Sequence, residues 1–149
     1  MSTYTEEVGS KLNDLLERTY DAEKGFIKAA DNVENSNLKG YFKRKAQERY
    51  DFGHALKTEI RQYGQKVDKG DSFASKAHRS WMDIKNFFSA DNEEAMLEEA
   101  IKGEKAAVNT YEEVLEETNL PPSTETLLTQ QKNQIVSGLN NIKRLEDIA

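Results

Sequence analysis

Apolar residues recur every three to four positions through four stretches of this 149-residue chain, with short runs of turn-forming residues between them. That spacing predicts four amphipathic helices. The first runs from Thr5 to Val33 and gives way to the Asn-rich stretch Asn32 to Asn37. Ser36 or Asn37 is suited to cap the second, which runs from Leu38 to Tyr63 and stops at Gly64, a residue fit for a left-handed helix end. Asp91 opens the third, with Glu94 in capping-box spacing, and Leu120-Pro121-Pro122 closes it. The fourth fills Ser123 to Ile148. Segments of about 25 residues exceed the average globular helix and are typical of bundles.

Short loops join helix 1 to 2 and helix 3 to 4, which predicts two antiparallel hairpins. The middle connection, residues 64–90, is long enough to travel the length of a bundle and start the second hairpin from the other end. Ala77, Trp81, Ile84 and Phe88 recur within it at helical spacing, predicting a short amphipathic helix across the bundle. Two hairpins joined by one long crossover make the ferritin-like topology. The predicted fold is therefore all-α, a single ferritin-like four-helix bundle over residues 1–149.

Setting residues about 100° apart round each helix shows what lies at the middle of each apolar stripe. On helix 1, Leu12, Leu16, Thr19, Phe26, Ile27 and Ala30 centre on Glu23. The stripe of helix 2 centres on Arg49, that of helix 3 on Glu104 and that of helix 4 on Gln131. Each helix thus sends one polar group inward, near one mid-height layer. Ferritin-like proteins build a two-metal carboxylate site at that level from two Glu and two Glu-x-x-His motifs. Here His54 and His78 follow Asp51 and Ser75 instead, and His54 points away from the helix 2 stripe. Arg49 stands where the metal would. Its five donors suit a bridge between Glu23 and Glu104, with Gln131 taking a further partner. The favoured reading is a structural polar network without a cofactor; the alternative is an iron or manganese site using Glu23 and Glu104.

Charge changes the picture in one respect. Lys and Arg number 21 against 27 Asp and Glu, a net charge of -6, which opposes nucleic-acid binding. The excess is uneven: helix 2 is basic and helix 3 acidic, which predicts either attraction between bundle faces or two solvated faces. The absence of Cys excludes zinc fingers, iron–sulfur clusters and thiol nucleophiles. No apolar run suits a membrane span and the first ten residues lack the pattern of a signal peptide, so a cytoplasmic protein is expected.

Several local sequences carry a resemblance. They are Asp21-Ala22-Glu23-Lys24-Gly25-Phe26 with Ala29-Ala30, Glu48-Arg49 with Phe52 and Leu56, and His78-Arg79-Ser80-Trp81. Gly103-Glu104 with Tyr111, Leu120-Pro121, Gln131 and Leu145-Glu146-Asp147 complete the set. In this order the chain resembles an uncharacterised bacterial four-helix-bundle family, a domain of unknown function in the ferritin-like superfamily. The resemblance implies that fold and no established activity. Where the family often has a helix 4 His, this chain has Leu139, which further weakens a metal site.

Two further places bear weighing. His78 and Trp81 form an i, i+3 pair that either docks a partner or, the favoured reading, anchors the crossover. His54-Ala55-Leu56-Lys57 is similar to the His-x-x-Lys-Gly motif of histidine phosphotransfer domains, with Thr58 in place of the Gly. The expectation is a non-enzymatic bundle acting through its surface, an assembly or stress-associated component with an unidentified protein partner or a second copy of itself.

Overall fold

Residues 3–67, 93–117, 119–143 and 147 are described by a computed structural model. Four helices hold most of them: α1 (Thr3–Asp31), α2 (Ser36–Gln62), α3 (Glu93–Glu117) and α4 (Pro122–Asn141). There is no strand among the described residues. The expected crossover helix, with His78 and Trp81, and the expected cap at Asp91 lie outside them.

The helix ends follow from local chemistry. Asn35, rather than Ser36 or Asn37, caps α2: its side-chain oxygen accepts from the Leu38 N–H at 2.9 Å. The Lys39 ammonium reaches back to the Ala30 carbonyl at 2.7 Å, closing the α1–α2 corner at the end where helix carbonyls attract cations. Glu93, at the start of α3, accepts the backbone N–H groups of Glu34 and Asn35 at 2.7 and 3.0 Å and so fastens α3 to that corner. Gly64 turns the chain out of α2 at φ 69°, a left-handed conformation that disfavours a Cβ. Pro121 and Pro122 start α4, where a missing N–H costs nothing. That helix stops at Asn141, seven residues before the expected Ile148. Asn140 and Asn141 are weak helix formers, Ile142 is extended, and the Lys143 N–H turns to the Asp147 carboxylate at 2.9 Å.

Two apolar clusters form the core. One joins Phe26, Ala29, Ala30 and Val33 of the α1 end to Leu38 and Phe42 of early α2 and Met96, Leu97 and Ala100 of early α3. The other joins Val8, Leu12, Leu15 and Leu16 to Leu56 and Ile60 of late α2, Tyr111 and Val114 of late α3, and Leu128 of early α4. The ends that meet give the directions: α1 runs against α2 and α3, and α2 runs with α3. Within the α1–α2 hairpin the backbones approach closely, with Gly53 of α2 facing Leu16 and Thr19 of α1. Between the hairpins, longer side chains bridge the gap.

Candidate functional site

The residues between the two apolar clusters are polar and buried. Arg49 is 3% exposed, as is Glu104. The guanidinium of Arg49 pairs with Glu104 through both of its terminal nitrogens, a forked contact that suits the planar geometry of the two groups. Arg49 Nη1 also donates to Glu48 at 2.6 Å. The Lys45 ammonium completes the group, 3.2 Å from Glu104 and 3.4 Å from Glu48. Two cations and two carboxylates thus alternate in a closed, formally neutral set contributed by α2 and α3.

The ring stacking around Arg49 explains how a full charge is held there. Its guanidinium carbon lies 5.6 Å from the ring centroids of both Phe26 and Phe52, two cation–π contacts. Burial opposes its charge, but the carboxylates of Glu104 and Glu48 outweigh that and raise its pKa. Gly138 of α4 backs the cluster: a Cβ there would lie 2.8 Å from the Lys45 ammonium, so the missing side chain makes room for it.

Beside the charges runs a chain of neutral hydrogen bonds. The Tyr111 hydroxyl of α3 donates to Gln131 Oε1 at 2.6 Å, and Gln131 Nε2 donates to the Phe52 carbonyl at 3.3 Å. Thr19 of α1 lies within hydrogen-bonding reach of the Tyr111 hydroxyl. All four helices meet in this chain. Burial pushes the phenol of Tyr111, and that of Tyr41 beside the charges, well above the usual tyrosine range.

Arg49, Glu104 and Gln131, which the helical faces set at stripe centres, are each 3% exposed. Glu23 is placed differently. It lies half-buried on the α1–α2 seam, with Lys57, Lys24 and His54 as its charged neighbours, and burial raises its pKa despite them. What α1 offers Arg49 is the face of Phe26. The displacement follows from Ile27, assigned to the α1 stripe but 47% exposed. The true stripe contains Val8, Leu15, Ala29 and Val33, which rotates its centre about 50° away from Glu23 at 100° per residue.

Other members were not singled out from the sequence. Glu48, about 100° from Arg49, sits at the stripe margin, whereas Lys45, about 40° from it, lies within the stripe and is buried. A second polar cluster, near the start of α4, was missed altogether. Glu59 of α2, 7% exposed, accepts from Ser123 at 2.9 Å, Thr124 at 2.7 Å and Tyr63 at 3.5 Å, while Tyr63 and Thr124 also bond to each other. The clue was the pair of hydroxyl residues following Pro122 on the first turn of α4. Glu17 of α1 is buried too, at 1% exposure, and had not been singled out.

His54 is exposed, as its helical position required, and packs edge-on against Tyr50 at 4.6 Å. The Lys57 ammonium lies over the Tyr20 ring at 5.3 Å and beside Glu23, so its charge is engaged on the hairpin seam.

Among the described residues no group of three or more His, Asp or Glu is arranged to hold a metal, and no helix is long and apolar enough to cross a membrane. In particular, Glu104 and Glu48 are already neutralised by Arg49 and Lys45. A divalent ion entering there would meet two fixed cations in a low-dielectric setting, so the donor set does not fit a two-metal centre. Comparison with curated proteins and with solved structures finds no match. A family model spanning α1 to α3 does match residues 7–117, and the chain belongs to that family, described as "Domain of unknown function (DUF2383)".

Proposed function

We propose that this protein is a non-catalytic bundle of ferritin-like topology that acts as a structural or interaction component through its surface. The observation that carries the reading is the pairing of Glu104 with Arg49 and Lys45. A carboxylate so engaged is neither a free metal ligand nor a base, because either role requires displacing a buried cation. The helix directions support the topology: with α2 and α3 parallel, a long connection is needed between them, as in ferritin-like bundles.

Elemental analysis of protein purified without chelator or an affinity-tag metal tests this directly. The expected result is trace metal only. Iron or manganese near one or two ions per chain, lost on Glu104→Ala substitution, would overturn the reading in favour of a metal-dependent oxidase or peroxidase.

A further inference from the structure

Among the described residues, two large apolar side chains stand clear of the core: Ile27 at 47% exposure and Tyr50 at 49%. They are neighbours. Both line one groove of about 360 Å³ on the outer side of the α1–α2 hairpin, together with Glu23, Asp31, Lys43 and Gln47. Exposed apolar groups gathered in one place, ringed by charges, mark an interaction surface more readily than the same residues scattered.

We propose that this face docks a second copy of the same chain, about a two-fold axis running along the helices. The charges select both the occupant and the axis. In the groove the acids Glu23 and Asp31 come from α1, whereas Lys43 comes from α2 and Lys57, one helix turn beyond His54's level, lies beside Glu23. An axis parallel to the helices lays α1 on the partner's α2, so Asp31 meets the partner's Lys43 and Glu23 approaches the partner's Lys57. A perpendicular axis would instead stack α1 on α1 and set acid against acid. Isologous contacts of the first kind need a self-complementary patch, which the groove acids Glu23 and Asp31 of α1 beside Lys43 and Lys57 of α2 provide, although the exposed Lys24 of α1 lies next to Glu23.

The balance of charge also argues for a copy of this chain over the other faces as a meeting place. At a net charge of -6, two copies repel at long range. The exposed side of α3 carries Glu94, Glu98, Glu112, Glu113 and Glu116, where that repulsion is concentrated. The α1–α2 groove is close to neutral. The α1–α2 face to which the groove belongs is large enough: helices of 29 and 27 residues side by side present roughly 40 by 20 Å, about the 800 Å² per partner of a stable interface.

This inference gives the proposed interaction role a partner and a face. Metal content tests that role and mass in solution tests the dimer, so either fails without the other. Sedimentation equilibrium of the full chain from about 1 to 100 μM should show a monomer–dimer equilibrium. Ile27→Glu should weaken it by at least about tenfold with an unchanged thermal melt, since the residue is exposed. Asp31→Lys and Lys43→Asp should each be monomeric alone, and an equimolar mixture should associate again, because only the mixed pair restores opposite charges across the axis. A wild-type chain that stays monomeric throughout, a dimer indifferent to Ile27→Glu, or a mixture that fails to associate would each overturn the proposal.

Discussion

Glu104 and Glu59 are both buried carboxylates that tie α2 to the second hairpin, yet they are accommodated by different chemistry. Around Glu104 the compensation is ionic: Arg49 forks onto it, Lys45 flanks it, and Glu48 balances the second cation. Around Glu59 it is neutral: three hydroxyls converge on one oxygen at the first turn of α4, where the helix dipole favours negative charge. An ionic set is demanding, because losing one member leaves the others charged and dry. A hydroxyl set is forgiving, since each donor can rotate to another acceptor or to water.

The sharpest way to break the comparison is to neutralise each carboxylate. Glu104→Gln leaves Arg49 and Lys45 with one carboxylate between them, and should cost about 3–5 kcal/mol in urea unfolding. Replacing the whole set with neutral residues, Arg49→Met, Lys45→Met and Glu104→Leu together with Glu48→Gln, should recover most of that loss, because the desolvation of the charges is removed along with their attraction. A quadruple variant as unstable as Glu104→Gln would show that the charges themselves contribute net stability.

Alkaline titration probes the surroundings of the ionic cluster. The phenols of Tyr41 and Tyr111 are held neutral in the fold by burial, next to the charged groups. A pKa raised in the folded state gives stability that is whole below the ordinary value near 10 and is lost as pH rises beyond it. With two such groups the loss should reach about 2.7 kcal/mol per pH unit above pH 10. Absorbance at 295 nm should show these two of the six tyrosines ionising only as the circular dichroism signal collapses. Tyr111→Phe should reduce the slope by roughly half.

Glu59→Gln is the matching test at the other cluster, with an expected cost of about 1–2 kcal/mol. The amide oxygen still accepts from Ser123 and Thr124, so only the charge-assisted part is lost. A penalty equal to that of Glu104→Gln would remove the distinction between the two modes of burial.

The same physics decides how much was legible in the sequence. Four helices follow from periodicity, because a stripe repeats many times and tolerates a local error. Arg49, Glu104 and Gln131 were legible because a polar residue in the middle of an apolar stripe has nowhere to go but inward. Glu48 and Glu59 were not, because at a stripe's edge the same residue type reaches either solvent or core; Lys45 lies within the stripe, and only Glu104 of a distant helix accounts for a second cation there. Ser123 and Thr124 look like ordinary first-turn residues until Glu59 is set opposite them. At Glu23 one exposed apolar residue, Ile27, turned the apparent centre of the helix and moved an edge residue into the middle.

Glu23 provides the smallest and most discriminating effect, since it is a carboxylate near the core with neither kind of compensation fully in place. Burial raises its pKa in spite of Lys57, Lys24 and His54, so the folded state favours the protonated form. Its contribution to stability is greatest below the ordinary glutamate value and falls as pH rises through the raised one. At pH 7 the ionised group is a small liability. Glu23→Gln should therefore raise the melting temperature slightly at pH 7 and have less effect at pH 4, measured in dilute protein where association is absent. The opposite sign at pH 7 would mean that Lys57 compensates Glu23 as fully as Arg49 compensates Glu104, and that the hairpin seam holds a true ion pair in place of a half-buried acid.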